Sequence, residues 1–232
     1  MRHRVGWLAG AAVLLAPGCA DRRAAVPADG PASPFAVAAV HFEQNATDGD
    51  VEVVFEVKGV DDGLTSLTVT APDGRTVLSA TSPDTSTLGV RQYRFESPEP
   101  TDIPRLQAAY PEGAYRFTGT TAAGERYAGE AMFSHRLPAT PVLASPADDA
   151  EDVPVVGLRL RWTPDSGAVA YVVTIEETDL TLSVTLPGTT TTFAVPDGVL
   201  RPAREYTLAI GARLASGNAT FIETSFATAG RE

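Results

Sequence analysis

A single cysteine, Cys19, stands in a chain of 232 residues. No internal disulfide can form, so stability has to come from packed cores. Cations are scarce too: 18 Lys and Arg face 29 Asp and Glu, for a net charge of −11, and Lys58 is the sole lysine. Such a surface repels phosphate backbones and anionic headgroups, which argues against nucleic acid and against membrane adhesion by charge. Catalytic signatures are missing as well. Beyond the first few residues the histidines are His41 and His135, far apart, and there is no His-Glu-x-x-His, no Gly-x-Ser-x-Gly and no phosphate-cradling glycine loop. The sequence therefore nominates no catalytic residue and no cofactor. The longest apolar run, Val5 to Leu15, is too short to span a bilayer of ~30 Å as a helix.

That run follows Met-Arg-His-Arg and ends in Ala16-Pro17-Gly18-Cys19, a basic start, an apolar stretch and small residues at a cut site. These residues resemble the bacterial lipoprotein signal, in which a leader peptidase cuts before a cysteine whose sulfur then carries a lipid. Ala16 holds the place usually taken by Leu, and Leu15 lies one position further back. The resemblance implies a signal peptide over 1–18, lipidation at Cys19, and an exported protein anchored to a membrane of the cell envelope, with ordinary secretion as the alternative. Residues 19–34 hold three prolines, small residues and no apolar period, the composition of a flexible tether.

From Phe35 the pattern has period two. Val51, Val53 and Phe55 alternate with Glu52 and Glu56, and Leu67 and Val69 alternate with Thr68 and Thr70 before the Ala71-Pro72-Asp73-Gly74 turn. Further strands are expected at 90–96, 112–121 and 125–134, with one or two helical turns between Asp102 and Ala109. Strands at this spacing predict an antiparallel β-sandwich over 35–137. Within it His41 is expected to alternate outward. Tyr93, Tyr110 and Tyr127 are read as packing residues first, Tyr110 being the one least explained by packing and the candidate ligand contact.

Four prolines and the acidic residues Asp148, Asp149, Glu151 and Asp152 mark a boundary at 138–154. A second period-two series follows, through Leu158, Leu160 and Trp162, Tyr171, Val173 and Ile175, and Tyr206, Leu208 and Ile210. Trp162-Thr163-Pro164, Tyr171-Val172-Val173, and Leu200 with Pro202 ahead of Tyr206 resemble a fibronectin type III domain, here 138–229. That resemblance implies that Trp162 and Tyr171 fill the space between two sheets while Leu200, Pro202 and Tyr206 form a tyrosine corner. The fold class expected is all-β, two tandem immunoglobulin-like sandwiches. Phe55, Leu67 with Val69, Phe95 and Tyr115 align with Trp162, Tyr171 with Val173, Phe193 and Tyr206, as if the first sandwich were a distant copy, with an insertion at 97–111.

No Arg-Gly-Asp occurs, so adhesion of that kind has no residues here. The function read from these features is a non-catalytic envelope protein, a monomer by default, that presents its sandwiches to a protein partner. A carbohydrate-binding or enzyme-accessory module is the alternative, with a glycan as ligand and Tyr110 as contact. The four acidic residues are read as a solvated turn, a shared calcium site being the other possibility. Thr181 to Thr192 is uncharged apart from its flanks, and one of its strands is expected at a sheet edge.

Overall fold

The computed structural model describes residues 31–59, 62–82, 89–98 and 102–230; the expected leader, Cys19 and the first part of the tether lie outside them. In chain order the first sandwich comprises β1 (Ser33–Pro34), β2 (Val37–Asn45), β3 (Asp50–Lys58), β4 (Leu64–Thr70), β5 (Thr76–Thr81), β6 (Gln92–Glu96), α1 (Ile103–Ala109), β7 (Gly113–Thr121) and β8 (Arg126–Phe133). The second comprises β9 (Leu143–Ser145), β10 (Ala150–Val153), β11 (Arg159–Trp162), β12 (Ala170–Glu177), β13 (Leu180–Pro187), β14 (Thr192–Ala194), β15 (Glu205–Arg213) and β16 (Ala219–Thr228).

Outside the middle of β2 and β3, where both faces are covered, period two in the sequence becomes one buried face per strand. On β3 the residues Val51, Val53, Phe55 and Val57 are all buried, and on β12 so are Tyr171, Val173 and Ile175. In the first core Phe55 stacks on Phe95 at 4.8 Å and meets the Tyr115 ring edge-on at 5.6 Å. In the second, Trp162 and Tyr171 lie 5.4 Å apart. Each such side chain contributes roughly 1.5–3 kcal/mol by leaving water, which explains how two disulfide-free sandwiches hold.

Both sandwiches share one strand order. In the first, β2-β3-β6 faces β1-β8-β7-β4-β5; in the second, β9-β11-β14 faces β13-β12-β15-β16. Phe55 thus occupies the strand equivalent to that of Trp162, and Tyr115 the strand equivalent to that of Tyr206. Each of these tyrosines makes a corner: the Arg201 N–H donates to the Tyr206 hydroxyl at 2.9 Å, and the Tyr115 hydroxyl donates to the Pro111 carbonyl at 3.1 Å. The insertion forms α1, where the Asp102 side chain accepts from the Arg105 N–H and Leu106 plugs the first core.

One expected boundary shifts. Ser33 and Pro34, assigned to the tether, pair in parallel with Tyr127 and Ala128 of β8. A two-residue edge strand needs no apolar period, and proline at a sheet edge leaves no ladder donor unmet.

Candidate functional site

The outer edge of β16 is divided between two strands. Its C-terminal half takes β10 in parallel, Ala150 against Phe226 and Val153 against Thr228. Its N-terminal half takes β2 of the other sandwich, Ala219 against Glu43, Thr220 against Gln44 and Phe221 against Asn45. An eight-stranded sheet therefore runs through both sandwiches, from β13 at one end to β6 at the other.

Asn218 locks this joint. The residue is wholly buried. Its Oδ1 accepts the Phe42 N–H at 2.9 Å, while Nδ2 donates to the carbonyls of Ser134 at 2.8 Å and Arg136 at 2.7 Å. Thr220 Oγ1 donates to the Pro138 carbonyl at 3.1 Å, and Thr47 Oγ1 accepts the Glu223 N–H at 2.8 Å. Strand β2, the start of the 134–142 linker and the β15–β16 hairpin are thereby tied through one amide. The sequence shows only Asn-Ala-Thr at this point, a glycosylation pattern, and the burial of Asn218 takes it away from any such use.

His41 departs from its expected outward position. It is 6% exposed, because the β15–β16 turn at Gly217 lies over the face of β2 that would otherwise be wet. Its Nε2 lies 2.8 Å from Glu43 Oε1. Arg94 in turn reaches Glu43 at 3.5 Å, Glu56 at 3.2 Å and Glu96 at 2.6 Å. Burial pushes the Glu43 carboxyl up, but the His41 hydrogen bond and the charges of His41, Arg94 and Arg213 outweigh it and hold the group below its usual range. Beside this network the shared sheet forms an open cleft of about 500 Å³ lined by Glu43, Asp48, Asp50, Glu52, Glu176 and Glu223.

The remaining nominated residues fall as follows. Trp162, Tyr171, Leu200 and Tyr206 are buried in the second core, Pro202 is half-buried at the corner, and the Tyr171 hydroxyl accepts the Asp165 N–H at 2.6 Å. Tyr110 is half-buried and packs against the first core. It ends α1 by donating its N–H to the Leu106 carbonyl, its ring lies 6.1 Å from Phe55, and the Arg75 guanidinium covers it at 5.8 Å. His135 Nε2 bonds the Tyr110 carbonyl at 2.8 Å, so the second histidine is used in holding the insertion. Asp148 and Asp149 accept from the Thr224 and Ser225 hydroxyls, and Glu151 and Asp152 lie on β10, exposed. The acidic run thus follows the edge of β16, and among the described residues no three His, Cys, Asp or Glu side chains gather as a metal set. No described helix is long and apolar enough to cross a membrane.

Neither a protein-family model nor a curated protein matches the sequence. Solved structures do. The fibronectin(III)-like modules of Clostridium thermocellum CbhA are 11% identical over 87% of this chain and 93% of that one, with a TM-score of 0.36. A two-domain fibronectin type III segment of chicken tenascin is 12% identical over 83% and 98%, at 0.30. A tetra-tandem repeat from the extending region of a large adhesion protein is 17% identical over 84% and 50%, at 0.31. With three strands facing four, Trp162 between them and Tyr206 at the corner, the second sandwich is a fibronectin type III-like domain, and the first repeats its topology.

Proposed function

We propose that the chain is a non-catalytic envelope protein, lipid-anchored through Cys19, whose two sandwiches act as one rigid module for interaction with a protein partner. The observation that carries this reading is the joint: β2 pairs with β16 and Asn218 is buried between them, so two modules present a single fixed surface rather than two swinging ones. A fixed surface loses little conformational freedom on binding, which favours recognition of another folded protein. Residues 19–30 then serve as the spacer between the lipid and the module. The glycan reading has weaker support, because among the described residues no aromatic side chain is fully exposed to stack on a sugar ring.

Co-purification from native membranes tests both halves of the proposal. The wild-type chain should fractionate with membranes and retain a stoichiometric partner after detergent extraction, and Cys19→Ala should move to the soluble fraction. A Cys19→Ala chain that stays in the membrane removes the anchor, and a wild-type chain recovered alone removes the partner.

A further inference from the structure

The two ends of the eight-stranded sheet are built differently. At one end β6 carries Arg94 and Glu96, ion-paired to each other and to β3. At the other, β13 has no charged residue from Leu180 to Pro187. Its even-numbered residues Leu180, Leu182, Val184 and Leu186 pack half-buried on the second core, while Thr181, Ser183 and Thr185 are exposed. Edge strands are commonly blunted by charge, a central proline or a bulge. The register of β13 with β12 is unbroken from Ala170–Pro187 to Glu177–Leu180, and its one proline stands at its end.

Backbone parity shows what this edge offers. The Gly188 N–H donates to the Val169 carbonyl at 2.9 Å, and pairs of the same parity, Leu186 with Tyr171 and Val184 with Val173, continue that ladder. Thr181, Ser183 and Thr185 therefore turn their N–H and C=O groups away from β12. Pro187, next in the row, has no N–H and closes it.

We propose that this row is completed by β13 of a second copy of the chain, antiparallel across a two-fold axis at Ser183. Ser183 then faces its own copy and Thr181 faces the partner's Thr185, so every outward N–H and C=O in the row finds a mate. Leu182 meets the partner's Val184 and Leu180 the partner's Leu186 on the apolar face, with hydroxyls alone on the other. Centring the axis on Val184 instead would set Thr181 against Pro187 and lose donors. A second copy suits the edge because the strand is its own complement in both charge and face. The same sheet already grows by edge addition inside the chain, where β2 joins β16. This contact is independent of the anchor and of whatever else the module binds.

The test uses the whole chain carrying Cys19→Ala in non-ionic detergent, so that neither a lipid nor a Cys19 disulfide can join two copies. Sedimentation velocity at physiological salt or above, where repulsion between acidic chains is screened beyond ~8 Å, should show a concentration-dependent shift from one chain to two. Thr181→Lys with Thr185→Lys sets like charges opposite each other at exposed positions and should weaken association at least tenfold with an unchanged circular dichroism spectrum. Thr181→Lys with Thr185→Glu should restore it. Ser183→Cys should give a disulfide dimer on mild oxidation, because directly opposed hydrogen-bonded residues have Cα atoms about 5.5 Å apart, within bridging range. Thr185→Cys, well removed from its copy, should not. A monomer at every concentration, a dimer indifferent to the paired lysines, or equal cross-linking of the two cysteine variants overturns the proposal.

Discussion

Replacing Asn218 by alanine should loosen the joint between the sandwiches without touching either core. Three contacts go at once: the buried Phe42 N–H loses its acceptor at 2.9 Å, and the Ser134 and Arg136 carbonyls lose donors at 2.8 and 2.7 Å. A buried group left unpaired costs about 1–3 kcal/mol, and a hydrogen bond whose partner regains water about 0.5–1.5 kcal/mol, so the change is about 2–6 kcal/mol in all. With a urea dependence of about 2 kcal/mol per molar, the unfolding midpoint should fall by roughly 1–3 M. Hydrogen exchange locates the effect, since the Phe42 amide should lose protection while Val173 and Leu208 keep theirs. Asn218→Asp should do no better at neutral pH. Its second oxygen faces two carbonyls, and the buried carboxylate's raised pKa makes its stability decline as pH rises through that value. A midpoint shift under about 0.2 M with an unchanged Phe42 exchange rate would refute the reasoning and leave strand pairing alone as the joint.

Tyr206→Phe removes the hydroxyl that accepts the Arg201 N–H and should cost about 1 kcal/mol, a Tm decrease of roughly 2–4 °C by calorimetry for a joined unit of this size. Tyr115→Phe should do the same to the first sandwich. Because the folded-state pKa of Glu43 is depressed, it contributes stability above its ordinary value of about 4.5, and that contribution is lost as pH falls through the lower folded value. Glu43→Gln should therefore flatten the acid limb of a stability–pH curve; an identical limb would show that the charge network does not act on folding. Tyr110→Ala should destabilise the first sandwich by about 1.5–2.5 kcal/mol, half the cost of a fully buried aromatic, and leave retention on insoluble glycan unchanged. Loss of glycan retention at constant Tm would restore its role as a contact.

Much of the architecture is legible in sequence because one-sided burial writes itself as period two. Val51, Val53, Phe55 and Tyr171, Val173, Ile175 need no neighbour beyond their own sandwich to explain them. Trp162 and Tyr206 are recognisable because several bulky positions must agree at once. The joint is illegible for the opposite reason. His41 follows the rule for an outward strand position, and nothing local says that the turn at Gly217 will cover it. Asn218 and Thr220 are polar residues beside a turn, and their burial depends on carbonyls more than eighty positions away. Tyr110 lies in the insertion, outside any alternating series, and its partners Phe55 and Arg75 come from β3 and the turn before β5.

The parallel pairing of β2 with β16 also determines how the molecule carries load. A pull on the chain before β2, opposed by one on the chain after β16, acts in opposite directions along two strands that run the same way. The three residue pairs between them are then strained together, in shear, and cannot be unzipped one by one. A drag force reaching the second sandwich would be passed to the N-terminal end of the chain through the middle of a sheet rather than through a linker.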